Sequence, residues 1–267
     1  MSGFHDAGKR KKLGQNFLVD DSVVRRIVAA ARVGEGDRVL EVGPGKGVMT
    51  RMLAATGATV TAVELDGDLY GRLVADEELA SKVTLVRGNA LKVDLSTLDA
   101  PYHVVANLPY SVGGAIVERL IGERTRVARM TVMLQAEVGR RMVAKPGESP
   151  FGTLSLFIAQ YCDGELLFTV PPEAFRPAPK VDSVVIRLTP LAEPRVNVDD
   201  EVAFFAFIHE AFVHRRKTLW NNLRERFGDR DRFDTACEKA GVPPTDRPER
   251  VGLAQFAALY EAWGAGE

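Results

Sequence analysis

The stretch LEVGPGKG, residues 40–47, decides the fold of this chain. The apolar run RVLEV (38–42) leads into a turn that holds Gly43, Gly45 and Gly47. Glycine suits a turn between a buried strand and a helix, because it has no Cβ to widen the turn or to keep a ligand away from the backbone. The stretch therefore predicts the first strand and the ligand-binding turn of a doubly wound α/β sheet.

Short apolar runs repeat along the chain on the C-terminal side of this turn. They lack a clean alternation of apolar and polar residues, which is typical of strands buried on both faces. Helical segments separate them, such as GAIVERLIG, and a helix with an apolar stripe precedes the first strand. This order predicts a parallel sheet that binds ligands at the carboxyl ends of its strands. The predicted strands are RVLEV (38–42), TVTAVE (59–64), VTLVR (83–87), HVVAN (103–107), MTVMLQ (130–135), LLFTV (166–170) and SVVIRL (183–188).

The alternation ends at a polar connector that contains proline, TPLAEPRVNVDD (189–200). The segments after it read as amphipathic helices, and none reads as a strand. We therefore expect a catalytic domain over residues 1–189 and a small all-helical domain over residues 198–267. The predicted helices lie in EVAFFAFIHEAF, RKTLWNNLRERF, DRFDTACEKA and LAQFAALYEAW.

Length and composition limit the class of protein. A chain of 267 residues with 46% hydrophobic residues can build one large core with a small satellite domain. No apolar run approaches the ~18 residues of a membrane span, and no apolar block of signal-peptide type follows the basic N-terminal residues. Cys162 and Cys237 stand alone, without metal-ligand spacing. We expect a soluble cytoplasmic protein in a reducing compartment, without a structural metal site.

The overall charge does not by itself indicate nucleic-acid binding. The net charge is -1 and the isoelectric point is near 6.5. Positive charge is nevertheless concentrated in KRKK (9–12) and HRRK (214–217). Such clusters are either solvated surface or contacts to phosphates, and their context must decide between the two.

Glycine spacing distinguishes among nucleotide sites. The third glycine comes one residue too early for the dinucleotide fingerprint G-x-G-x-x-G, and Lys46 is followed by Gly47 where a phosphate loop needs a hydroxyl residue. Glu64 ends the second strand, where a carboxylate can accept hydrogen bonds from both ribose hydroxyls. Asn89 follows the third strand, within reach of an adenine amine. Each feature alone also fits a plain turn or a surface acid, but together they favour a site for S-adenosylmethionine.

The fourth strand ends in VVANLPYSV (104–112), an unusual way to end a strand. The exocyclic amine of adenine is a poor nucleophile, because its lone pair is delocalised into the ring. Asn107 and the carbonyl of Leu108 could accept both amine hydrogens, and Pro109 would fix that backbone. Tyr110 would stack on the base. This segment predicts methyl transfer to an adenine amine by positioning and electrostatics, without a covalent intermediate.

These motifs, with several others in the same order, resemble the small-subunit rRNA adenine dimethyltransferase family of the KsgA type. The resemblance spans nearly the whole chain. It implies a class I, Rossmann-like methyltransferase sheet and dimethylation of two adjacent adenosines in the hairpin loop near the 3′ end of small-subunit rRNA, late in subunit assembly. The matching blocks are LGQNFL (13–18), LEVGPGKGVMT, VELD, NLPYSV, MLQAEVGRRMVAKPG, FGTLSLFIAQYC, VPPEAFRPAPKVDSVVIRL and RRKTLWNNL.

The resemblance also implies roles for single residues. Those before the first helix would fold over the methionine end of the cofactor, and the first glycines would approach it closely. Phe175 would offer the flipped adenine a second aromatic face, opposite Tyr110. The basic segments would hold rRNA phosphates. The implied cofactor residues are Gln15, Asn16, Leu18, Gly43, Gly45, Glu64, Asn89 and Asn107, and the implied RNA contacts are Lys9, Arg10, Lys11, Lys12, Arg215, Arg216 and Lys217.

One position departs from the family pattern. The family usually carries Asp where this chain has Asn89. An amide oxygen still accepts a hydrogen bond from the adenine amine, but it gives up the stronger charge-assisted bond. We expect cofactor binding to persist with lower affinity.

Other functions remain open at the level of the sequence. A large-subunit rRNA adenine methyltransferase of the macrolide-resistance type shares the glycine turn and the Asn-x-Pro-Tyr element, although GQNFL and FRPAPKVDS favour the small-subunit type. A DNA adenine methyltransferase would use the same site, but no separate base-reading domain is evident. An assembly factor that occupies the immature small subunit, with dispensable catalysis, is the non-enzymatic alternative. We expect the protein to be a monomer that works on rRNA within the immature small subunit. An oxidoreductase with NAD fits poorly, because the glycine spacing differs.

Overall fold

The computed structural model describes residues 16–264, which form two compact units. The first unit contains the described chain up to Gly139 and, after an interruption, Glu165–Pro190. The second contains Arg140–Gly164 and residues 191–264. Each unit is therefore assembled from two separate stretches of the chain.

A seven-stranded sheet organises the first unit. Its order is β4-β3-β2-β5-β6-β9-β7, where β9 runs antiparallel to β6, and the pairs from β4 to β6 are parallel. The order reverses between β2 and β5, so the carboxyl ends of these two strands flank a crevice. The prediction of a doubly wound α/β sheet is confirmed. In chain order the described strands are β1 (Phe17–Leu18), β2 (Arg38–Val42), β3 (Thr59–Glu64), β4 (Val83–Arg87), β5 (Tyr102–Asn107), β6 (Val127–Gln135), β7 (Cys162–Val170), β8 (Phe175–Arg176) and β9 (Ser183–Pro190).

Helices connect the strands and form most of the second unit. None of those described is both long enough and apolar enough to cross a bilayer. They are α1 (Asp21–Ala31), α2 (Val48–Ala54), α3 (Gly67–Val74), α4 (Glu77–Ala80), α5 (Gly113–Gly122), α6 (Ala136–Val143), α7 (Thr153–Tyr161), α8 (Glu201–Ala211), α9 (Leu219–Phe227), α10 (Arg230–Ala240) and α11 (Leu253–Gly264), with short 3-10 turns at Pro172–Ala174 and Pro248–Arg250.

The core of the first unit lies between the sheet and the helices α1 and α2. Ile27 and Leu53 are fully buried there and belong to one apolar cluster with Val60 and Val105 of the sheet. Helix α1 starts where the side chain of Asp20 accepts a hydrogen bond from the backbone N–H of Ser22 at 2.8 Å, which satisfies a donor left free by the helix. Packing and capping together hold α1 over strands β5 and β6.

Two short strands were not predicted from the sequence. Strand β1 pairs antiparallel with β8, so that Phe17 lies opposite Arg176 and Leu18 opposite Phe175. The backbone N–H of Val19 extends the ladder to the carbonyl of Ala174 at 2.8 Å. Two residues are too few for any periodicity, which is why the pattern of the sequence does not reveal them. The pairing holds the segment before α1 beside the segment that carries Phe175.

The second unit is helical and has its own aromatic core. Four phenylalanines, from α8, α10 and α11, are fully buried in it. Complete burial of each ring contributes on the order of 2–3 kcal/mol. The four amphipathic segments predicted after residue 200 are confirmed as helices. The buried rings belong to Phe204, Phe207, Phe233 and Phe256.

The division into units differs from the domain limits expected from the sequence, 1–189 and 198–267. Arg140–Gly164, expected in the catalytic domain, belongs to the helical unit. Leu156 of α7 joins the aromatic core, and the hydroxyl of Tyr161 donates to the carboxylate of Glu201 at 3.0 Å. Helix α7 is apolar on most of its surface, so its position in the chain does not reveal which core buries it.

Candidate active site

A cleft opens at the carboxyl ends of β2, β3, β4 and β5. It brings together side chains that are far apart in the sequence. Its walls include the glycine turn, the ends of β3 and β4, the Asn-Leu-Pro-Tyr segment and the residues around β1. The predicted site residues that line it are Asn16, Leu18, Gly43, Gly45, Glu64, Asn89 and Asn107, together with Leu108, Pro109 and Tyr110.

The glycine turn and Glu64 are joined by backbone hydrogen bonds. The N–H of Gly45 donates to one carboxylate oxygen of Glu64 at 3.0 Å, and the N–H of Asp66 donates to the other at 2.8 Å. Asp66 also caps α3, since its side chain accepts from the N–H of Asp68 at 2.9 Å. The glycine turn thus binds one oxygen of Glu64, and the backbone just after β3 binds the other. The carboxylate is fixed in orientation, and each oxygen keeps a lone pair for a ligand.

The carboxyl group of Glu64 is largely removed from water. Its side chain is buried, with 4% of the residue exposed, although it lines the cleft. Burial raises the pKa of Glu64, and the two backbone amides oppose that rise. A ligand that offers hydroxyl donors would replace lost water contacts here, which fits a ribose diol.

Asn89 lies at the expected end of β4, but its side chain is already engaged. Its amide oxygen accepts a hydrogen bond from the backbone N–H of Leu91 at 2.9 Å. Its carbonyl accepts from the N–H groups of Lys92 and Val93 at 2.7 and 2.8 Å. The residue shapes a turn as well as lining the cleft, so a ligand would share its side-chain oxygen with Leu91.

The Asn-Leu-Pro-Tyr segment is held from both ends. The N–H of Leu108 donates to the carbonyl of Met133 at 3.0 Å, and the carbonyl of Pro109 accepts from the N–H of Gly113 at 2.8 Å, at the start of α5. Among the hydrogen bonds of residues 16–264, none uses the side-chain amide of Asn107 or the carbonyl of Leu108. Two acceptors on a rigid backbone are therefore left for a ligand in the cleft.

The ring of Tyr110 is fixed through its hydroxyl. The oxygen lies 2.6 Å from the hydroxyl of Ser183, which is fully buried at the start of β9. Burial raises the pKa of the Tyr110 hydroxyl, and the bond to Ser183 opposes the rise. The tyrosine is neutral at physiological pH and presents an aromatic face whose orientation β9 determines.

Phe175 does not lie where we expected it. Its ring is fully buried in the apolar core of the first unit, near Val23 and Val185, and it does not line the cleft. The expectation of a second aromatic face opposite Tyr110 is therefore corrected for this structure. A phenylalanine gains most by leaving water, and the core behind β8 has room for it. Its contribution near the site is its backbone pairing with Leu18.

Residues around β1 close one side of the cleft. Asn16 and Leu18 line it as predicted, whereas Gln15 lies outside the described residues. Phe17 and Lys46 were missed by the sequence analysis. The ring of Phe17 packs on the glycine turn, where a β-carbon on Gly45 would approach it to 3.4 Å, and the Lys46 ammonium lies 5.2 Å from the ring centroid. The absent side chain of Gly45 makes room for Phe17.

Glu41 is a further residue that the sequence analysis missed. It lies within β2, is fully buried and lines the cleft. Neither carboxyl oxygen has a hydrogen-bond partner among residues 16–264. The signal was present in the sequence, because RVLEV places an acid inside a strand that is otherwise apolar after its first residue.

Of the two predicted basic segments, one lies within the described residues. Lys9, Arg10, Lys11 and Lys12 lie outside the described residues. In the second unit, the guanidinium of Arg215 donates to the carbonyls of Ser149 and Phe151 at 3.2 and 2.6 Å, so Arg215 joins the two stretches of that unit. Arg216 and Lys217 are exposed.

Comparison with known proteins places the chain in a family. A family model described as "Ribosomal RNA adenine dimethylase" matches residues 7–263. The chain is 42% identical over 263 residues to "Ribosomal RNA small subunit methyltransferase A" of Moorella thermoacetica, covering 94% of this chain and 91% of the relative. It is 40% identical to the protein of that name from Clostridium botulinum (strain Loch Maree / Type A3), covering 94% and 92%.

Solved structures with the same fold cover both units. "23S rRNA methyltransferase ErmE" superposes with a TM-score of 0.75 at 26% identity, covering 93% of this chain and all of that one. A "dimethyladenosine transferase from Plasmodium falciparum" gives 0.76 at 22% identity, covering 93% and 98%. The second likeness concerns the fold alone, which is a methyltransferase fold carrying a helical region.

Proposed function

The chain belongs to the ribosomal RNA adenine dimethylase family, and from that premise we propose which adenosines it modifies and which residues do so. It is an rRNA adenine dimethyltransferase that uses S-adenosylmethionine. The proposed targets are two adjacent adenosines in the 3′-terminal hairpin loop of small-subunit rRNA, modified late in subunit assembly in the cytoplasm. The relatives at about 40% identity carry the small-subunit name, which supports this target over the large-subunit rRNA.

One observation carries the assignment of the site. A carboxylate held by two backbone amides and two unpaired acceptors on a rigid strand end face the same cleft. The first suits the ribose of an adenosyl cofactor, and the second suits the amine of a target adenine. The two requirements of the reaction thus converge on β3 and β5, the two strands that flank β2 in the sheet.

The residues of the cleft fit S-adenosylmethionine. Glu64 keeps lone pairs for the ribose hydroxyls, and the glycine turn brings the backbone of Gly43 and Gly45 to the cleft without side chains in the way. Asn89 lies at the end of β4, where it would accept from the adenine. Asn16 and Leu18 would cover the methionine end. Bound there, the cofactor supplies a methyl group on a positively charged sulfonium, which makes that carbon electrophilic.

The chain activates the target by accepting hydrogen bonds from its amine. Asn107 Oδ1 and the carbonyl of Leu108 would each accept one hydrogen of the adenine amine, which favours a pyramidal nitrogen with its lone pair available. Pro109 locks the backbone that holds this carbonyl in place. The bond formed is N–CH₃, the bond broken is CH₃–S, and the amine proton leaves to water. No side chain needs to act as a strong base, and catalysis comes from positioning and preorganised acceptors.

Tyr110 would fix the plane of the base. Its ring borders the cleft, and the bond to Ser183 restricts rotation of its side chain. Stacking of a base on an aromatic ring contributes roughly 1–3 kcal/mol. Since the ring of Phe175 is buried in the core, we assign the aromatic contact to Tyr110 and give Phe175 a supporting role through β8.

The partner is rRNA, and we propose that it is bound within an immature small subunit by a monomeric protein. Exposed Arg216 and Lys217 support contacts from the helical unit to phosphates. The N-terminal basic segment, residues 9–12, is proposed to contribute as well. We also retain the proposal that the helical region after residue 198 is the principal rRNA-binding part.

The test offers three substrates side by side. Tritiated methyl transfer is measured with immature small subunits, large subunits and duplex DNA, and primer extension locates the modified adenosines. We expect transfer to small subunits alone, at two adjacent positions. The Asn107→Ala variant is the catalytic control and should bind subunits without transfer. Label on large subunits or DNA would overturn the proposed substrate, and binding without transfer by the unmodified protein would favour an assembly factor.

A further inference from the structure

Glu41 is a buried acid that the proposed chemistry has not used. Its residue is 0% exposed, and neither carboxyl oxygen is hydrogen-bonded within residues 16–264. Buried acids are almost always paired, because an isolated charge is costly in an apolar setting. Yet the side chain forms part of the wall of the cleft. We therefore expect the carboxyl group of Glu41 to pair with a polar or charged group of the bound ligand.

The strands and helix packed around Glu41 supply no cation. In the sheet it is registered with Ala62 of β3 and Val105 of β5, both apolar. Helix α1 contributes only Val24 to the wall of the cleft. The neighbouring strands therefore offer Glu41 only apolar side chains.

The titratable groups near Glu41 do not neutralise it. Among the described residues, the others that line the cleft are Lys46, Glu64 and Tyr110. The ammonium of Lys46 is directed at the ring of Phe17 and the residue is exposed, so it does not pair with the buried acid. Thr50 of α2 faces the carboxyl from the helix side, without forming a hydrogen bond of normal geometry.

These surroundings determine the charge of the Glu41 carboxyl group before a ligand binds. Burial raises the pKa of Glu41 to about 8; the Thr50 hydroxyl opposes the rise, and the negative charge of Glu64 adds to it. Near neutral pH, most molecules therefore hold Glu41 as an uncharged carboxylic acid. A cation placed against it would reverse this balance, because an opposite charge in a dry site favours the ionised form.

We propose that Glu41 binds a cationic group of S-adenosylmethionine, the ammonium or the sulfonium, and that binding converts its carboxylic acid into a carboxylate with release of one proton to solvent. This inference rests on the proposed function. It makes Glu41 a binding residue whose charge appears only when the cofactor is present. No covalent bond changes other than the O–H bond of the acid.

The proposal predicts how cofactor affinity depends on pH. Below the pKa of the free site, the ionised fraction of Glu41 falls tenfold per pH unit, so the affinity should fall by about tenfold for each unit of acidification. Between pH 7.5 and pH 6 the wild-type protein should follow this slope. Glu41→Gln keeps the shape of the side chain but cannot ionise, so its affinity should be weaker at pH 7.5 and nearly independent of pH.

The decisive measurement counts protons by titration calorimetry. Binding heats at pH 7 are compared in phosphate and Tris buffers, whose ionisation heats differ, for three ligands: S-adenosylmethionine, S-adenosylhomocysteine and methylthioadenosine. We expect wild-type protein to release close to one proton more than Glu41→Gln does with S-adenosylmethionine. The difference between the two proteins removes the contributions of Glu64 and of the ligand itself, which are common to both.

The ligands separate the two cationic groups. Equal release with S-adenosylhomocysteine, which keeps the ammonium, assigns the contact to the ammonium, and release with S-adenosylmethionine alone assigns it to the sulfonium. Release with methylthioadenosine, or no proton release by the wild-type protein, overturns the proposal, and the wild-type result stands even if the variant does not fold. Methyl transfer is measured on the same preparation. Transfer without proton release refutes this inference alone, whereas loss of both cofactor binding and transfer refutes the proposed function.

Discussion

At the scale of single residues, the contact between Tyr110 and Ser183 ties the ring that we propose stacks on the base to a strand more than seventy positions away in the chain. We predict that Ser183→Ala lowers kcat/KM for rRNA by about 3- to 10-fold, the loss expected for one hydrogen bond. Cofactor affinity should not change, because Glu64 and the glycine turn are untouched. Methyl transfer to immature subunits and calorimetry with S-adenosylmethionine measure the two quantities.

A double-mutant cycle distinguishes positioning from general destabilisation. Tyr110→Phe removes the same bond from the other side, so the double variant should be no worse than either single variant. Ser155→Ala, which removes a buried serine of the helical unit, is the matched control and should leave kcat/KM for rRNA nearly unchanged. Additive losses in the cycle would show that the bond does not orient the ring.

Asn89 provides a second prediction at this scale. Its oxygen already accepts a hydrogen bond from the N–H of Leu91, so one lone pair of a neutral amide remains for an adenine amine. Asn89→Asp should tighten S-adenosylmethionine binding by about 3- to 10-fold, because a carboxylate makes stronger, charge-assisted hydrogen bonds. Calorimetry checks this, and the inosine analogue of the cofactor, which lacks the amine, is the control that should show no gain. An unchanged or weaker affinity of the variant for the adenine cofactor would contradict the expectation.

Single residues differ in how far the sequence reveals them. Glu64, Asn89 and Asn107 could be placed because each follows a recognisable strand, and the ends of parallel strands share one edge of a sheet. Phe175 and Ser183 could not, because their surroundings depend on how β8 pairs with β1 and how β9 pairs with β6. An aromatic residue next to a site motif fits a stacking face and a core position equally well until the packing is known.

At the scale of elements, the glycine turn depends on packing as well as on ligand access. Gly47 precedes α2 with a φ of 77°, and a β-carbon there would lie 2.8 Å from the side chain of Leu73 and 3.2 Å from that of Leu79. We predict that Gly47→Ala lowers the free energy of unfolding by about 1–3 kcal/mol, from backbone strain and crowding together. Urea denaturation followed by circular dichroism measures this loss.

The control for this prediction is another glycine in the same unit. Gly71 lies within α3 with open space around it, so Gly71→Ala should be neutral or stabilising by up to about 1 kcal/mol. Equal stability of the Gly47 and Gly71 variants would show that the neighbouring leucines move aside without cost.

Elements of ordinary length were predictable, whereas the shortest ones were not. The seven strands of the sheet were visible as runs of mostly apolar or β-branched residues, in the buried strands and in the largely exposed β7 alike. Strands β1 and β8 contain two residues each, and they pair with each other across more than 150 positions of the chain. The cover over the cleft could thus be inferred from the family resemblance but not from any periodicity.

At the scale of the whole molecule, charge on the helical unit should govern the salt dependence of rRNA binding. Arg216 and Lys217 are exposed, whereas the guanidinium of Arg215 is occupied by backbone carbonyls. We predict that replacing Arg216 and Lys217 by Ala weakens subunit binding and reduces the slope of log affinity against log salt by about 1–2, as expected for two lost phosphate contacts. Filter binding across a salt series measures the slope, and cofactor affinity should stay constant.

The matched control removes two exposed positive charges elsewhere on the same unit. Lys239 and Arg247 are exposed, and replacing both by Ala changes the net charge by the same amount. The salt slope of this control should remain close to that of the unmodified protein. If both double variants lose the same slope, the effect is one of net charge and the assignment of the segment to phosphate contacts fails.

Arg215→Ala is predicted instead to destabilise the helical unit.

Because each unit is assembled from two separate stretches of the chain, some elements are synthesised well before the elements that they pack against. During synthesis, β9 emerges after α7, yet it must enter the sheet between β6 and β7 to complete it. Helix α7 emerges before the helices that bury its apolar side, which come last. Leu156 and its neighbours are therefore exposed to solvent on the nascent chain until the C-terminal helices have been translated. A chain truncated after residue 190 would contain all seven strands of the sheet but would lack the C-terminal helices that bury Leu156, and the exposed apolar side of α7 would favour aggregation or binding by chaperones.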